Sequence, residues 1–286
     1  MRWLLVSTSL FFFCSQWVLA ETFLWRVSKG TNELYIGGTV HVLSASDYPL
    51  PAAYDVAFNN SSTVVFETDS EATETPAFGQ ALLSRMMYND GRSLKDDLSR
   101  ETYQQFEKFS IARGLPMAMF QQMRPTMAVL TLMVMELQRL GISETGVDAY
   151  YYQRAKEAKK TIEQLETPEE QLEFIVNLGK GREDDFVSYS LKDMQQLDTV
   201  MGELVSAWRK GDTAGMAALS LIEMRRDFPK IYQQLLVSRN QNWLPRIEAM
   251  INNPGTELVL VGALHLVGDE GILRMLRDRG YRLEQL

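Results

Sequence analysis

Apolar residues are distributed along the chain in three distinct ways. At the start, Met1 and Arg2 precede a largely apolar run from Trp3 to about Cys14, then a small-residue stretch ending Val18-Leu19-Ala20. That charge, length and ending predict a secretory signal peptide over residues 1–20, cleaved after Ala20. The apolar run is too short to span a bilayer comfortably, and no second transmembrane candidate follows, so no integral span is expected after cleavage. Short strand-like runs come next. Phe23 to Val27 and Glu33 to Gly37 flank Ser28-Lys29-Gly30-Thr31-Asn32, a hairpin signal leading into Gly38-Thr39-Val40-His41. Thr63 to Phe66 reads as a strand ending at Glu67, and Thr161 to Glu166 as another. Near the C-terminus the turn signal Asn252-Asn253-Pro254-Gly255 precedes Glu257 to Val261, a continuous apolar strand of the kind buried on both faces.

Helical periodicity dominates between these strands. Pro125 to Leu140 predicts a helix buried on most sides, because only Thr131 and Glu136 are polar between Met127 and Leu137. Thr167-Pro168-Glu169-Glu170 is a capping box with proline at the first helical position. Further helices are expected over Glu183 to Lys210 and Pro229 to Arg239. Met117, Met119, Met123 and Met127 read as gap-filling core residues. Of Tyr150, Tyr151 and Tyr152, one ring should be buried and two interfacial, since consecutive helical residues diverge. The pattern predicts an α/β fold, a mixed central sheet with a large helical region at about 75–253, within one domain covering 21–286.

Composition narrows the chemistry. The one cysteine, Cys14, lies in the leader, so the mature chain has no thiol for a disulfide, a nucleophile or a metal. The formal net charge of −8 becomes one unit more negative once Arg2 is removed, which argues against a nucleic-acid partner. Export implies a periplasmic or secreted location.

The two histidines carry the strongest signal. Glu33-Leu34-Tyr35-Ile36-Gly37-Gly38-Thr39-Val40-His41 and Glu257-Leu258-Val259-Leu260-Val261-Gly262-Ala263-Leu264-His265 match at Glu, Leu, Gly and His in one register. Each half is a strand running into glycine (Gly38, Gly262) with histidine three residues later, at the rim where open α/β sheets bind ligands. Val65-Phe66-Glu67-Thr68 and Gln164-Leu165-Glu166-Thr167 echo each other similarly and place glutamates at a strand end. Two imidazoles with carboxylates suit Mn, Co, Fe or Zn, whereas calcium or magnesium would call for an all-oxygen set. His41, His265 and Glu67 are therefore expected to hold one divalent ion, at about 2.0 to 2.2 Å for a zinc-like ion. Glu166 or Asp69 would complete the shell or act as general base. Arg239 and Asn240 would polarise a scissile carbonyl or hold a peptide carboxylate.

Together with Leu-Glu-Thr-Pro-Glu-Glu-Gln-Leu, Arg239-Asn240-x-x-Trp243 and the ending Gly-Ala-Leu-His-Leu-Val-Gly-Asp-Glu-Gly, these motifs resemble the TraB/PrgY/GumN family, which includes the TIKI proteases. The resemblance runs from about Phe23 to Tyr281. It implies strand and helix repeats and, in the TIKI branch, a peptidase using manganese or cobalt through residues matching His41, His265 and Glu67. The expectation is an exported metal-dependent hydrolase acting on a peptide or small-molecule substrate. Two rivals remain open: a non-catalytic protein that binds or sequesters haem, metal or peptide, and a metal-free hydrolase with His41 or His265 as general base. Oligomeric state is not legible in the sequence.

Overall fold

A computed structural model of the chain describes residues 22–142, 144–253 and 255–286. The expected leader and cleavage site lie outside the described residues. Among the described residues there are eight strands: β1 (Leu24–Lys29), β2 (Asn32–Thr39), β3 (Val42–Leu43), β4 (Thr63–Phe66), β5 (Glu144–Thr145), β6 (Thr161–Gln164), β7 (Glu257–Gly262) and β8 (Arg282–Gln285). Six form one sheet in the order β6-β4-β7-β2-β1-β8, and β3 pairs with β5 in a small separate ribbon. The sheet is mixed and surrounded by helices, an α/β fold.

Its connectivity follows from local chemistry. Gly30, at φ 65°, takes the left-handed conformation that closes the β1–β2 hairpin, and Lys29 pairs with Asn32 across it. β2, β7, β4 and β6 are mutually parallel, so all four carboxyl ends emerge at the same edge. β7 is buried at every position, as its unbroken apolar run requires. Thr39 pairs with Gly262, which sets the two Gly-x-x-His turns side by side. Gly38 makes that approach possible. A Cβ there would stand 2.5 Å from Phe23 Cδ1 and 3.0 Å from the Ala263 backbone.

Two apolar cores result. One surrounds the sheet, and the other lies among the Arg100–Ala112, Pro125–Arg139 and Glu183–Arg209 helices. The Glu183–Arg209 helix joins them, with Phe186 and Leu191 in the second core and Trp208 in the first. The expected capping box is present: Thr167 Oγ1 accepts from the Glu170 amide and Glu170 Oε2 from the Thr167 amide. Tyr151 is fully buried between partly exposed Tyr150 and Tyr152, as their divergence on a helix predicts.

Two helices differ from expectation. Pro125–Arg139 buries one face only, with Val134 54% exposed on the other. Its polar Glu136 is the buried group, held by Arg113 and Arg139. The helical run from Pro229 does not stop at Arg239 but continues, through a π-helical turn at Gln233–Val237, to Ile251. Burial of Trp243, Leu244, Ile247 and Ile251 drives the continuation, while Pro245 sits on the exposed face, where losing one helical hydrogen bond costs least.

Candidate functional site

Four neighbouring strands deliver the site residues in the spatial sequence Glu166, Glu67, His265, His41, following the order β6-β4-β7-β2. Beyond the end of β4, Glu67 keeps a strand-like contact: its carbonyl accepts from the Glu166 amide at 2.7 Å. Gly262 marks where the other groups meet. The position its Cβ would take lies 3.3 Å from Glu67 Oε1, 3.5 Å from His41 Nε2 and 3.6 Å from His265 Cδ2. The backbone at Gly262 (φ −50°, ψ 134°) is one any residue adopts, so the glycine provides space rather than an unusual turn.

Each histidine is aimed by a neighbour. Asn240 Nδ2 donates to the carbonyls of His265 and Glu270, which turns Asn240 Oδ1 toward His265 Nδ1 at 2.7 Å. Because an amide nitrogen must face those carbonyls, Nδ1 carries the ring proton and Nε2 keeps its lone pair, toward which Arg239 Nη1 donates. The Trp243 ring packs against the imidazole with centroids 4.4 Å apart. Burial is the main reason the His265 pKa falls to about 3, with Arg239 and His41 adding to it against the pull of Glu67. This ring is neutral.

His41 differs. Its Nδ1 lies 3.2 Å from Asp148 Oδ2, and its side chain is 62% exposed. The cleft walls work against a charged ring, but the Asp148 hydrogen bond and charge outweigh them, with help from Glu67, and raise the pKa above the ordinary imidazole value. At that exposure solvent screens much of the gain. Asp148 follows the second strand of the β3–β5 ribbon, where Gly146 lets the chain pass against the His41 carbonyl.

Arg239 organises the carboxylates. Its Nη2 donates to Glu67 Oε2 at 2.7 Å and to Glu166 Oε2 at 2.9 Å, and its Nε donates to Glu166 Oε1 at 2.9 Å. Trp243 Nε1 donates to the same Glu166 oxygen at 2.9 Å, so Glu166 is spent behind the cleft. Nη1, not engaged by a carboxylate, stands 3.4 Å from His265 Nε2. Glu67 Oε1 accepts from the Gly262 amide at 2.7 Å. Burial would push Glu67 toward its neutral form. Arg239 first, then the histidines and that amide, overcome this and bring its pKa down to about 2.

Asp69 takes no part. Its Oδ1 caps the Ser70–Thr73 turn and accepts from Tyr152 Oη at 2.9 Å. Asp148 and Trp243 were not singled out as site residues from the sequence. Trp243 lay within a quoted motif at helical spacing from Arg239, which was a signal, whereas an aspartate in Val147-Asp148-Ala149 carries none.

A cleft of about 650 Å³ opens over these groups. Thr39 Oγ1, Thr68 Oγ1, Asp148 Oδ1 and Gln171 Oε1, all from residues lining it, are buried polar atoms without a hydrogen-bond partner among the described residues. Orphaned polar atoms are uncommon in folded proteins, and their gathering at one cleft marks a place built to meet polar groups. Among the described residues no three His, Cys, Asp or Glu side chains are arranged to hold a metal ion as they stand. The donor set nevertheless fits one: two imidazole nitrogens and a carboxylate oxygen around a glycine cradle are a set divalent transition ions accept. Closing on an ion requires these side chains to draw in around Gly262.

Among the described residues no helix is long and apolar enough to cross a membrane. The chain is 25% identical over 253 residues to the uncharacterized protein YbaP of Escherichia coli (strain K12), covering 87% of this chain and 89% of that protein. The YbaP of Shigella flexneri matches with the same identity and coverage. No solved structure matches. The sequence profile of the TraB/PrgY/gumN family aligns with residues 23–285, a span that includes both Gly-x-x-His turns and every residue of the cleft, and the chain therefore belongs to the TraB/PrgY/gumN family.

Proposed function

We propose that the protein is an exported hydrolase of peptides that works with a divalent metal ion. The observation that carries this reading is the convergence of His41 Nε2, His265 and Glu67 Oε1 on the one open position beside Gly262. His41, His265 and Glu67 would hold the ion, with manganese or cobalt favoured and zinc or iron accommodated by the same donors. A divalent ion there supplies a Lewis acid able to acidify water near neutral pH.

The remaining residues prepare that chemistry. Asn240 fixes the His265 tautomer, and Asp148 does the same for His41 by taking its Nδ1 side. Glu166 and Trp243 hold Arg239, which keeps Glu67 ionised and directs Nη1 into the cleft. From there Nη1 is placed to stabilise negative charge developing on a carbonyl oxygen. Roles first considered for Glu166, Arg239 and Asn240 are thereby sorted into orienting ones for Glu166 and Asn240 and an electrostatic one for Arg239.

A metal-free hydrolase is the second reading, favoured by the His41–Asp148 pair, an imidazole oriented by a carboxylate for proton transfer in an open cleft. Haem sequestration is disfavoured by charge, because Glu67, Asp148 and Asp193 line the cleft while its one lining guanidinium, Arg239, is neutralised by Glu67 and Glu166. Haem propionates would meet carboxylates.

Metal analysis of protein purified without a chelating tag, followed by peptide-library cleavage before and after chelation, tests these readings. The metal reading expects bound ion near one equivalent, cleavage lost on chelation, and recovery with manganese or cobalt. Cleavage that survives chelation would transfer the mechanism to the His41–Asp148 pair. A Soret band on haem titration with no cleavage would overturn both.

A further inference from the structure

The cleft has a second half that the proposed chemistry does not use. Away from the sheet edge it becomes an apolar arm walled by Tyr189, Met201, Leu204, Met216, Leu235 and Leu236. Tyr189, Met201 and Leu204 come from one helix, Glu183–Arg209. The other wall is built by Leu235 and Leu236, within the π-helical turn Gln233–Val237, and by Met216, which immediately precedes a second π-helical turn, Ala217–Leu221. Both turns pack on the Ala263–His265 turn that carries the second histidine. π turns are rare, cost hydrogen-bond geometry and concentrate at functional sites because they widen a helix locally. One in the wall and another beginning directly behind it indicate that the width of the arm is part of the design. Unbranched and γ-branched side chains such as Met and Leu make a wall that re-packs around differently shaped apolar groups.

Asp193, one turn beyond Tyr189 on the same helix, also lines the cleft. Among the described residues no cation pairs with its carboxylate, in contrast to Glu67 and Glu166. The residue is exposed at the cleft wall, where apolar surroundings first and the charge of Glu223 second raise its pKa, and an exposed carboxylate there is open to a positive partner.

Resting on the peptidase reading above, we propose that this arm is the specificity pocket for an apolar side chain of the peptide, and that Asp193 takes a positively charged group of the same peptide. The distribution of polar atoms supports a peptide over a fatty-acid chain. Its backbone N–H and C=O groups can satisfy Thr39, Thr68, Asp148 and Gln171 at one end while a side chain fills the other. A fatty acid would bring its carboxylate to a cleft edged by Glu67, Asp148 and Asp193. At about 650 Å³ the whole cleft is in the range of small-ligand sites and accommodates a short stretch of chain rather than a folded domain.

The test is a binding measurement, so that its outcome is separate from catalysis. Fluorescently labelled hexapeptides, blocked at both ends and carrying Leu, Met, Phe, Ala or Glu at one central position, with or without a neighbouring Lys, are titrated by anisotropy. Both the unaltered protein and His41→Ala, in which turnover would not consume the probe, are used. Peptides with Leu, Met or Phe should bind about tenfold or more tightly than the Ala peptide, the discrimination expected for burying several additional apolar carbons. Met201→Trp and Leu204→Trp, which fill the arm from partly exposed positions, should each erase that difference and leave binding of the Ala peptide in place. Asp193→Asn should remove the advantage of the Lys-containing peptides alone. Equal binding of the Leu, Ala and Glu peptides would overturn the proposal even if the protein cleaves them. Selective binding without cleavage would uphold the pocket and count against the peptidase reading instead. Tighter binding of a fluorescent fatty acid than of any peptide would reassign the arm to an acyl chain.

Discussion

Placing the same methyl group at the two motif glycines should produce opposite results. In Gly262→Ala the new carbon has a backbone it can adopt, φ −50° and ψ 134°, and meets nothing closer than Glu67 Oε1 at 3.3 Å. Replacing glycine at a compatible position removes freedom from the unfolded chain, worth about 0.4 to 1 kcal/mol, and the tight carboxylate contact offsets part of it. Stability should therefore stay within about 1 kcal/mol, or roughly 2 to 4 °C in Tm for a chain of this size. Function should not survive so well, because the methyl fills the point from which His41 Nε2 lies 3.5 Å and His265 Cδ2 3.6 Å. Displacing reacting groups by even about 1 Å costs on the order of 100-fold in rate, and the side chains could no longer draw in around an ion. Gly38→Ala instead drives its carbon to 2.5 Å from Phe23 Cδ1 and 3.0 Å from the Ala263 backbone, an overpacking of roughly 1 to 3 kcal/mol. Thermal melts, metal content and turnover of both variants check this. Wild-type metal content and a rate within about threefold of wild type for Gly262→Ala would refute the claim that the open position at Gly262 is the working volume.

His41→Ala and His265→Ala should both abolish activity but separate in stability: loss of exposed His41 should cost under about 0.5 kcal/mol, and loss of buried His265, which leaves Asn240 Oδ1 without a partner, about 2 kcal/mol or more by urea unfolding. Equal stability of the two variants would contradict the roles given to Asn240 and Trp243. Glu166→Gln should destabilise by roughly 2 to 4 kcal/mol, because it uncouples a guanidinium whose side chain is only 10% exposed; a loss below about 1 kcal/mol would mean Arg239 finds other partners. Far from the site, Arg139 and Arg113 overcome the desolvation of Glu136 and lower its pKa from 4.5 to about 2. A depressed carboxylate pKa means the unfolded chain binds the proton more readily, so this contribution is complete above about pH 4.5 and is lost as pH falls toward 2. Acid unfolding of Glu136→Gln should be correspondingly less steep across that window, and an unchanged profile would show that other carboxylates govern it.

Much of the site was legible in the sequence because it rests on strand ends. A strand fixes where its last residue lies, so Gly-x-x-His after β2 and β7 and Glu-Thr after β4 and β6 mark one edge once the strands are parallel neighbours. Repetition of the motif with the only two histidines indicated that they belong together. Strand order, however, is decided by long-range pairing: the insertion of β7 between β4 and β2 sets His265 between Glu67 and His41, and no local pattern encodes it.

The partners were still less accessible. Asp148 reaches His41 only through the β3–β5 ribbon, whose two-residue strands are too short to carry a periodic signal. Periodicity predicts a helix from Pro229 only as far as Arg239, whereas burial of Trp243, Leu244, Ile247 and Ile251, with Pro245 on the exposed face, carries it on to Ile251. That continuation matters for chemistry. It makes Arg239, Asn240 and Trp243 parts of one helix reaching Glu67, Glu166 and His265, so that Glu166, expected to complete a metal shell or act as base, joins them in a clamp around the histidine and carboxylate that face the cleft. Sequence determined which residue types stand at the sheet edge through strand periodicity and glycine placement. Tertiary structure alone decided which donors remain free, since that depends on which neighbours use the others.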